Sequence, residues 1–112
     1  MKASTQDYAH ICVMTLSGEF THDDTDAFHR ALGQRLDSGQ TRHVIIDSQH
    51  LEFIDSAGLE TLINLQQRLA PSNGAIRIAQ ADDTIADILR LTRLESVLET
   101  CATIEDAVRS LR

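Results

Sequence analysis

A chain of 112 residues with 42% apolar and 24% charged side chains has the size and balance of one soluble globular domain. Its formal net charge of −7 disfavours contact with nucleic-acid backbones and anionic membrane surfaces, and no apolar run approaches the roughly 18 residues needed to span a bilayer. Aromatic residues make up only 4% and Trp is absent, so the core must come from Leu, Ile, Val and Ala, which suits helices packed on a sheet.

Met1 to Tyr8 carries one Lys and no apolar stretch, unlike a signal peptide. The expected setting is cytoplasmic, with Cys12 and Cys101 as reduced, buried thiols among apolar neighbours. Thr5 to Tyr8 reads as a weak first strand, possible as an antiparallel edge. His10 to Leu16 reads as a strand with Ile11, Val13 and Thr15 on one face and Cys12, Met14 and Leu16 on the other. Apolar groups on both faces fit a sheet covered by helices. Gly18 is expected to end this run.

Thr21 to Asp24 has the spacing of a helix start, a Thr followed three residues on by an acid, with Asp23 and Asp26 in the electropositive first turn. Phe28, Ala31, Leu32 and Leu36 recur at helical spacing, and Gly39 is a plausible stop, giving a helix near 24–37. His43 to Asp47 reads as a short buried strand, and Leu51, Phe53 and Ile54 alternate loosely before a turn at Asp55. Residues 57–70 form an amphipathic helix with Leu59, Leu62, Ile63 and Leu69 on one face, ended by Pro71-Ser72-Asn73-Gly74. Ala75 to Ala79 reads as a strand. Ile85, Ile88, Leu89 and Thr92 mark a helix near 83–91, with burial continuing through Leu94, Val97 and Leu98. Ile104, Ala107, Val108 and Leu111 mark a last helix near 104–111, with acids in its first turn and Arg109 and Arg112 in its last. Such alternation predicts an α/β fold with parallel pairing through βαβ crossovers, one domain over 1–112.

The stretch most able to carry chemistry is Ile54-Asp55-Ser56-Ala57-Gly58-Leu59, at a strand-to-helix junction of the kind where open α/β sheets place their sites. A Ser there presents its hydroxyl beside unpaired backbone N–H groups that can hold a phosphate. Capping of the helix by Ser56 or Asp55 is the plainer alternative. Gly58 costs helix stability, and its expected role is to let another chain approach the backbone.

Val44-Ile45-Ile46-Asp47 followed by Leu51-Glu52-Phe53-Ile54-Asp55-Ser56-Ala57-Gly58-Leu59 resembles the signature of the STAS family (sulfate transporters and anti-sigma-factor antagonists). Leu16-Ser17-Gly18-Glu19-Phe20 resembles its Gly-Glu turn, Asn73 to Ile78 its Gly-led strand, Ile88 to Leu94 its Leu-rich third helix, and Thr103 to Ala107 its closing helix. The resemblance implies a single-domain STAS-like fold, a mixed sheet of four or five strands with about four helices. It also implies an anti-sigma-factor antagonist whose Ser56 is phosphorylated by a partner kinase that is itself the anti-sigma factor. The unphosphorylated protein would sequester that kinase and free a sigma factor for transcription, and a metal-dependent Ser/Thr phosphatase would reset the switch. Asp55, Ser56, Ala57, Gly58 and Glu60 are the implied partner-binding residues. Related domains in lipid-transport complexes and transporter tails keep the fold and bind partners, sometimes without this phosphorylation, so a scaffold or adaptor subunit of a larger complex stays open, as does a homo-oligomer.

Other candidates are plainer. His22, Asp23, Asp24, Asp26 and His29 include metal-ligand types, but acids in a first helical turn need no metal to account for them. His50 with Ser56 suggests a hydrolase pair, yet Ile54 stands where a nucleophile elbow needs Gly. No cofactor, no metal and no enzymatic activity are expected.

Overall fold

The computed structural model describes residues 1–112. Strands β1 (Lys2–Tyr8) and β2 (Ile11–Phe20) form an antiparallel hairpin. A 3-10 turn (His22–Asp24) leads into helix α1 (Thr25–Asp37), then β3 (His43–Ile54), α2 (Ser56–Leu69), a second 3-10 turn (Ala70–Ser72), β4 (Ile76–Ala79), α3 (Asp83–Leu91), β5 (Thr100–Cys101) and α4 (Ile104–Ser110). The sheet order is β1-β2-β3-β4-β5, with every pairing after the first parallel. This is the mixed five-stranded α/β architecture expected, with the N-terminal strand antiparallel at one edge.

The alternation in β2 and β3 sorts the core into two layers. Cys12, Met14 and Leu16, with Val44, Ile46, Ile76 and Ile78, face α1, α2 and α3 and meet Phe28, Leu32, Leu59, Leu62, Leu65, Ile85 and Leu89. Val13, Ile45 and Ala79 face the other way, against Ala107 of α4. Each fully buried Leu, Ile or Val contributes about 1.5–3 kcal/mol over an exposed one, so the larger layer carries most of the stability.

Several local expectations are corrected. Gly18 does not end β2; at φ +83 it adopts a conformation other residues avoid, and the strand runs on to Phe20 across register slips between Thr15 and Ser17 and between Gly18 and Glu19. The two readings around residues 43–47 and 51–54 are one strand. Cys12 is fully buried, whereas Cys101 sits half-buried on the short edge strand β5. Leu98 is buried but Val97 is 41% exposed, because that stretch is a turn rather than a continued helix. On α2 the buried face includes Leu65, while Ile63 packs only at its margin.

The lengths of the strands place the site. β3 pairs with β4 only from Val44 to Asp47, but with β2 as far as Ile54. The carboxyl ends of β2 and β3 therefore extend beyond the rest of the sheet as a two-stranded ledge, and α2 begins at its tip.

Candidate functional site

The ledge turns into α2 at Asp55, whose extended backbone (φ −92, ψ −177) is that of a helix cap. One carboxylate oxygen, Oδ1, accepts the Gly58 N–H at 2.8 Å. The other, Oδ2, accepts the His22 N–H at 3.0 Å. The Asp55 N–H donates to the Phe20 carbonyl at 3.1 Å. Asp55 thus joins the start of α2 to the end of β2 and to the turn before α1. The Gly58 N–H bond, with smaller help from the His22 and Ala57 N–H groups, holds its carboxyl below the usual carboxylate range.

Capping is therefore done by Asp55, and Ser56 is released from it. Ser56 is the first residue of α2, exposed, and its hydroxyl engages no other group of the chain. It points from the positive end of the α2 dipole, where backbone N–H groups favour a phosphate. Ala57 is half-buried, and its carbonyl accepts from the Thr61 hydroxyl at 2.8 Å. Glu60, one turn along from Ser56, is exposed.

Gly58 has a different role from the expected one. It is buried, and a Cβ built on it would lie 2.7 Å from both the Phe20 carbonyl oxygen and Ile54 Cγ1. The space a side chain would need is taken by the chain's own β2 and β3, so this glycine seats α2 on the ledge and does not open its backbone to a partner.

Two exposed residues beside Ser56 escaped sequence reasoning. Phe53 is 42% exposed and pairs in register with the exposed Glu19 of β2. An apolar residue in a strand reads as core, and the extra residues that β3 carries against β2, one between Asp47 and His50 and one between Leu51 and Phe53, break the alternation and turn this one outward. His22 contributes its backbone N–H rather than its ring, which no residue-type signal reveals. His22, Asp23, Asp24, Asp26 and His29 do not converge: no group of three or more His, Cys, Asp or Glu side chains is placed to hold a metal ion. Asp24 instead accepts from the Thr21 N–H at 2.9 Å, closing the turn that the Thr-Asp spacing predicted. No helix is long and apolar enough to cross a membrane.

Known proteins share this fold. The family profile of the STAS domain matches residues 2–107. An anti-sigma F factor antagonist of Paenibacillus polymyxa is 19% identical over 88 residues, covering 79% of this chain and 75% of the relative. The unphosphorylated anti-sigma factor antagonist SpoIIAA superposes with a TM-score of 0.85 at 19% identity, covering 99% of this chain and 96% of that one. Its phosphorylated form, from Bacillus, gives 0.76 at 19% identity, covering 99% and 100%. An anti-sigma factor antagonist from Mycobacterium paratuberculosis gives 0.85 at 22% identity, covering 99% and 93%.

Proposed function

This chain belongs to the STAS domain family, and from that premise we propose that it is an anti-sigma-factor antagonist switched by phosphorylation of Ser56. The observation that carries the reading is the division of labour at the head of α2: Asp55 caps the helix, leaving the exposed Ser56 hydroxyl free for a kinase. In this reading the unphosphorylated ledge, with Phe53, Asp55, Ser56 and Glu60, docks on an anti-sigma factor with serine kinase activity and so frees a sigma factor. Transfer of a phosphoryl group to Ser56 adds about −1.5 to −2 charges and three acceptor oxygens. That charge arrives beside Asp55 and Glu60, where docking would have to bury it, and uncompensated charge burial at an interface commonly costs about 2–5 kcal/mol. Binding is lost without refolding, because a phosphate at a helix N-terminus does not oppose the helix. A Ser/Thr phosphatase restores the docking form. The chain acts by binding, in the cytoplasm, with no catalysis of its own.

The test is to express the chain with the anti-sigma kinase encoded nearest to its gene, capture the complex, add ATP and map the phosphorylated residue by mass spectrometry. Capture that is lost as Ser56 becomes modified supports the reading. A stable complex with no label on Ser56 replaces it with a constitutive adaptor.

A further inference from the structure

At the opposite end of α2 from Ser56, just before β3 begins, lies a cleft of about 490 Å³. His10, Thr41, Arg42, Arg68 and Ser72 supply its polar lining, over a floor of Leu36 and Leu69. Its residues come from five separate places: the β1–β2 turn, the end of α1, the α1–β3 connection, the end of α2 and the 3-10 turn after it. No carboxylate lines it. That is unexpected in a chain with ten Lys and Arg against seventeen Asp and Glu.

We propose that this cleft is an anion site for a phosphate group, carried either by inorganic phosphate or by a small phosphate monoester. Guanidinium forks give paired, charge-assisted hydrogen bonds to phosphate oxygens, and the Thr41 and Ser72 hydroxyls add neutral donors. Arg42 has no acidic partner in the chain, so its charge is uncommitted. Arg68 shares one arm with the exposed Asp37 at 2.7 Å, which tempers but does not cancel its contribution. The carboxyl-terminal ends of α1 and α2 border the cleft and their dipoles oppose an anion, so the two guanidiniums must outweigh them; the opposition is reduced where Leu69 O accepts from the Gly74 N–H and Ala70 O from the Asn73 N–H, each at 2.9 Å, and Leu36 O accepts from the Gly39 N–H. His43, beside the cleft, has its pKa lowered first by burial and then by Arg42, Arg77 and His10. The volume exceeds that of a bare phosphate and falls in the range of small-molecule pockets.

The experiment titrates the isotopically labelled full chain with inorganic phosphate, and separately with adenosine monophosphate, each matched to sodium chloride at equal ionic strength. Amide shifts at Thr41, Arg42 and Ser72 should saturate with a phosphate-bearing probe. Arg42→Gln should weaken binding roughly tenfold, the loss of one charge-assisted contact. Asp37→Asn should tighten it, by freeing Arg68. Both arginines are exposed, so their replacement leaves no buried gap; should Arg42→Gln fail to fold, Arg68→Gln reads the same loss. Saturation by phosphate alone assigns a free anion, and saturation by the nucleotide alone assigns an ester. Shifts that chloride reproduces, or that survive in both Gln variants, overturn the site. Ser56→Ala should leave the titration unchanged, which separates this result from the fate of the proposed switch.

Discussion

The carboxylate of Asp55 accepts the backbone N–H of His22, 33 residues earlier in the chain, at 3.0 Å. A single side chain therefore caps α2 and pins the turn that precedes α1. Asp55→Ala should lower the thermal midpoint by a few degrees, and Asp55→Asn by less, because Asn still accepts at a helix cap. Scanning calorimetry reads both. An Ala variant as stable as the parent would mean that the bond to His22 adds nothing in solution.

The same two hydrogen bonds fix a pH dependence. Asp55 titrates below its ordinary value in the folded chain, as does Asp24, whose carboxylate accepts from Thr21. Carboxyls depressed on folding contribute stability that is fully present above the unfolded value, about 3.9, and lost as pH falls through the folded one. Acid unfolding should therefore be less steep in Asp55→Asn than in the parent. Parallel acid profiles from circular dichroism would contradict this.

Gly58→Ala should destabilise the fold although alanine is the better helix former. The new methyl meets a backbone oxygen and Ile54 at 2.7 Å, and overpacking of this kind costs about 1–3 kcal/mol. The gain in helix propensity returns about 1 kcal/mol at most. Chemical denaturation decides the sign, and a neutral or stabilised variant would show that α2 can shift off the ledge at no cost.

The two thiols should differ in reactivity. Burial pushes the Cys12 pKa up to about 11, against a smaller lowering by Arg35, while Cys101 lies half-buried on the edge strand. Thiolate is the reacting form, so alkylation of the native protein should modify Cys101 first and reach Cys12 only on unfolding. Mass spectrometry of a timed alkylation gives the order directly.

If Ser56 is the switch, Ser56→Asp should weaken binding to the anti-sigma partner by roughly 30-fold or more, the low end of the cost of burying an unpaired charge. Ser56→Ala should bind as the parent does and resist inactivation by ATP. Both should keep parental circular dichroism, since an acid at the first turn favours the helix. Equal binding by both variants, measured by calorimetry, would remove the charge mechanism.

The layers of this fold are legible in its sequence because a period of two in β2 and a period near 3.6 in α1, α2 and α4 are imposed directly by burial. What escaped has a common cause. Gly18, Phe53 and Val97 each lie where local geometry departs from the period, at register slips or in a turn, and composition does not encode such departures. β5 has two residues, too few for any period. At the site, residue types pointed to the junction of Asp55 and Ser56, but the choice between capping and exposure needed coordinates. Either side chain can cap, and only the placement of Oδ1 on the Gly58 N–H shows which one does. The cost of Gly58 is legible in the sequence, while its reason, the carbonyl of Phe20, lies 38 positions away in the chain.

The Phe20 carbonyl that receives the Asp55 N–H belongs to a residue whose ring stacks on Phe28 of α1, with centroids 5.1 Å apart. The seat of Ser56 is thus continuous with fully buried core. If a partner docks here as proposed, it meets a surface backed by rigid core, so little ordering entropy is lost on contact and more of the interaction energy appears as affinity. On the proposed reading, recognition at such a pre-organised surface would be decided by what is added to it: with the scaffold held fixed, a single group on the Ser56 hydroxyl would be read as charge and bulk alone.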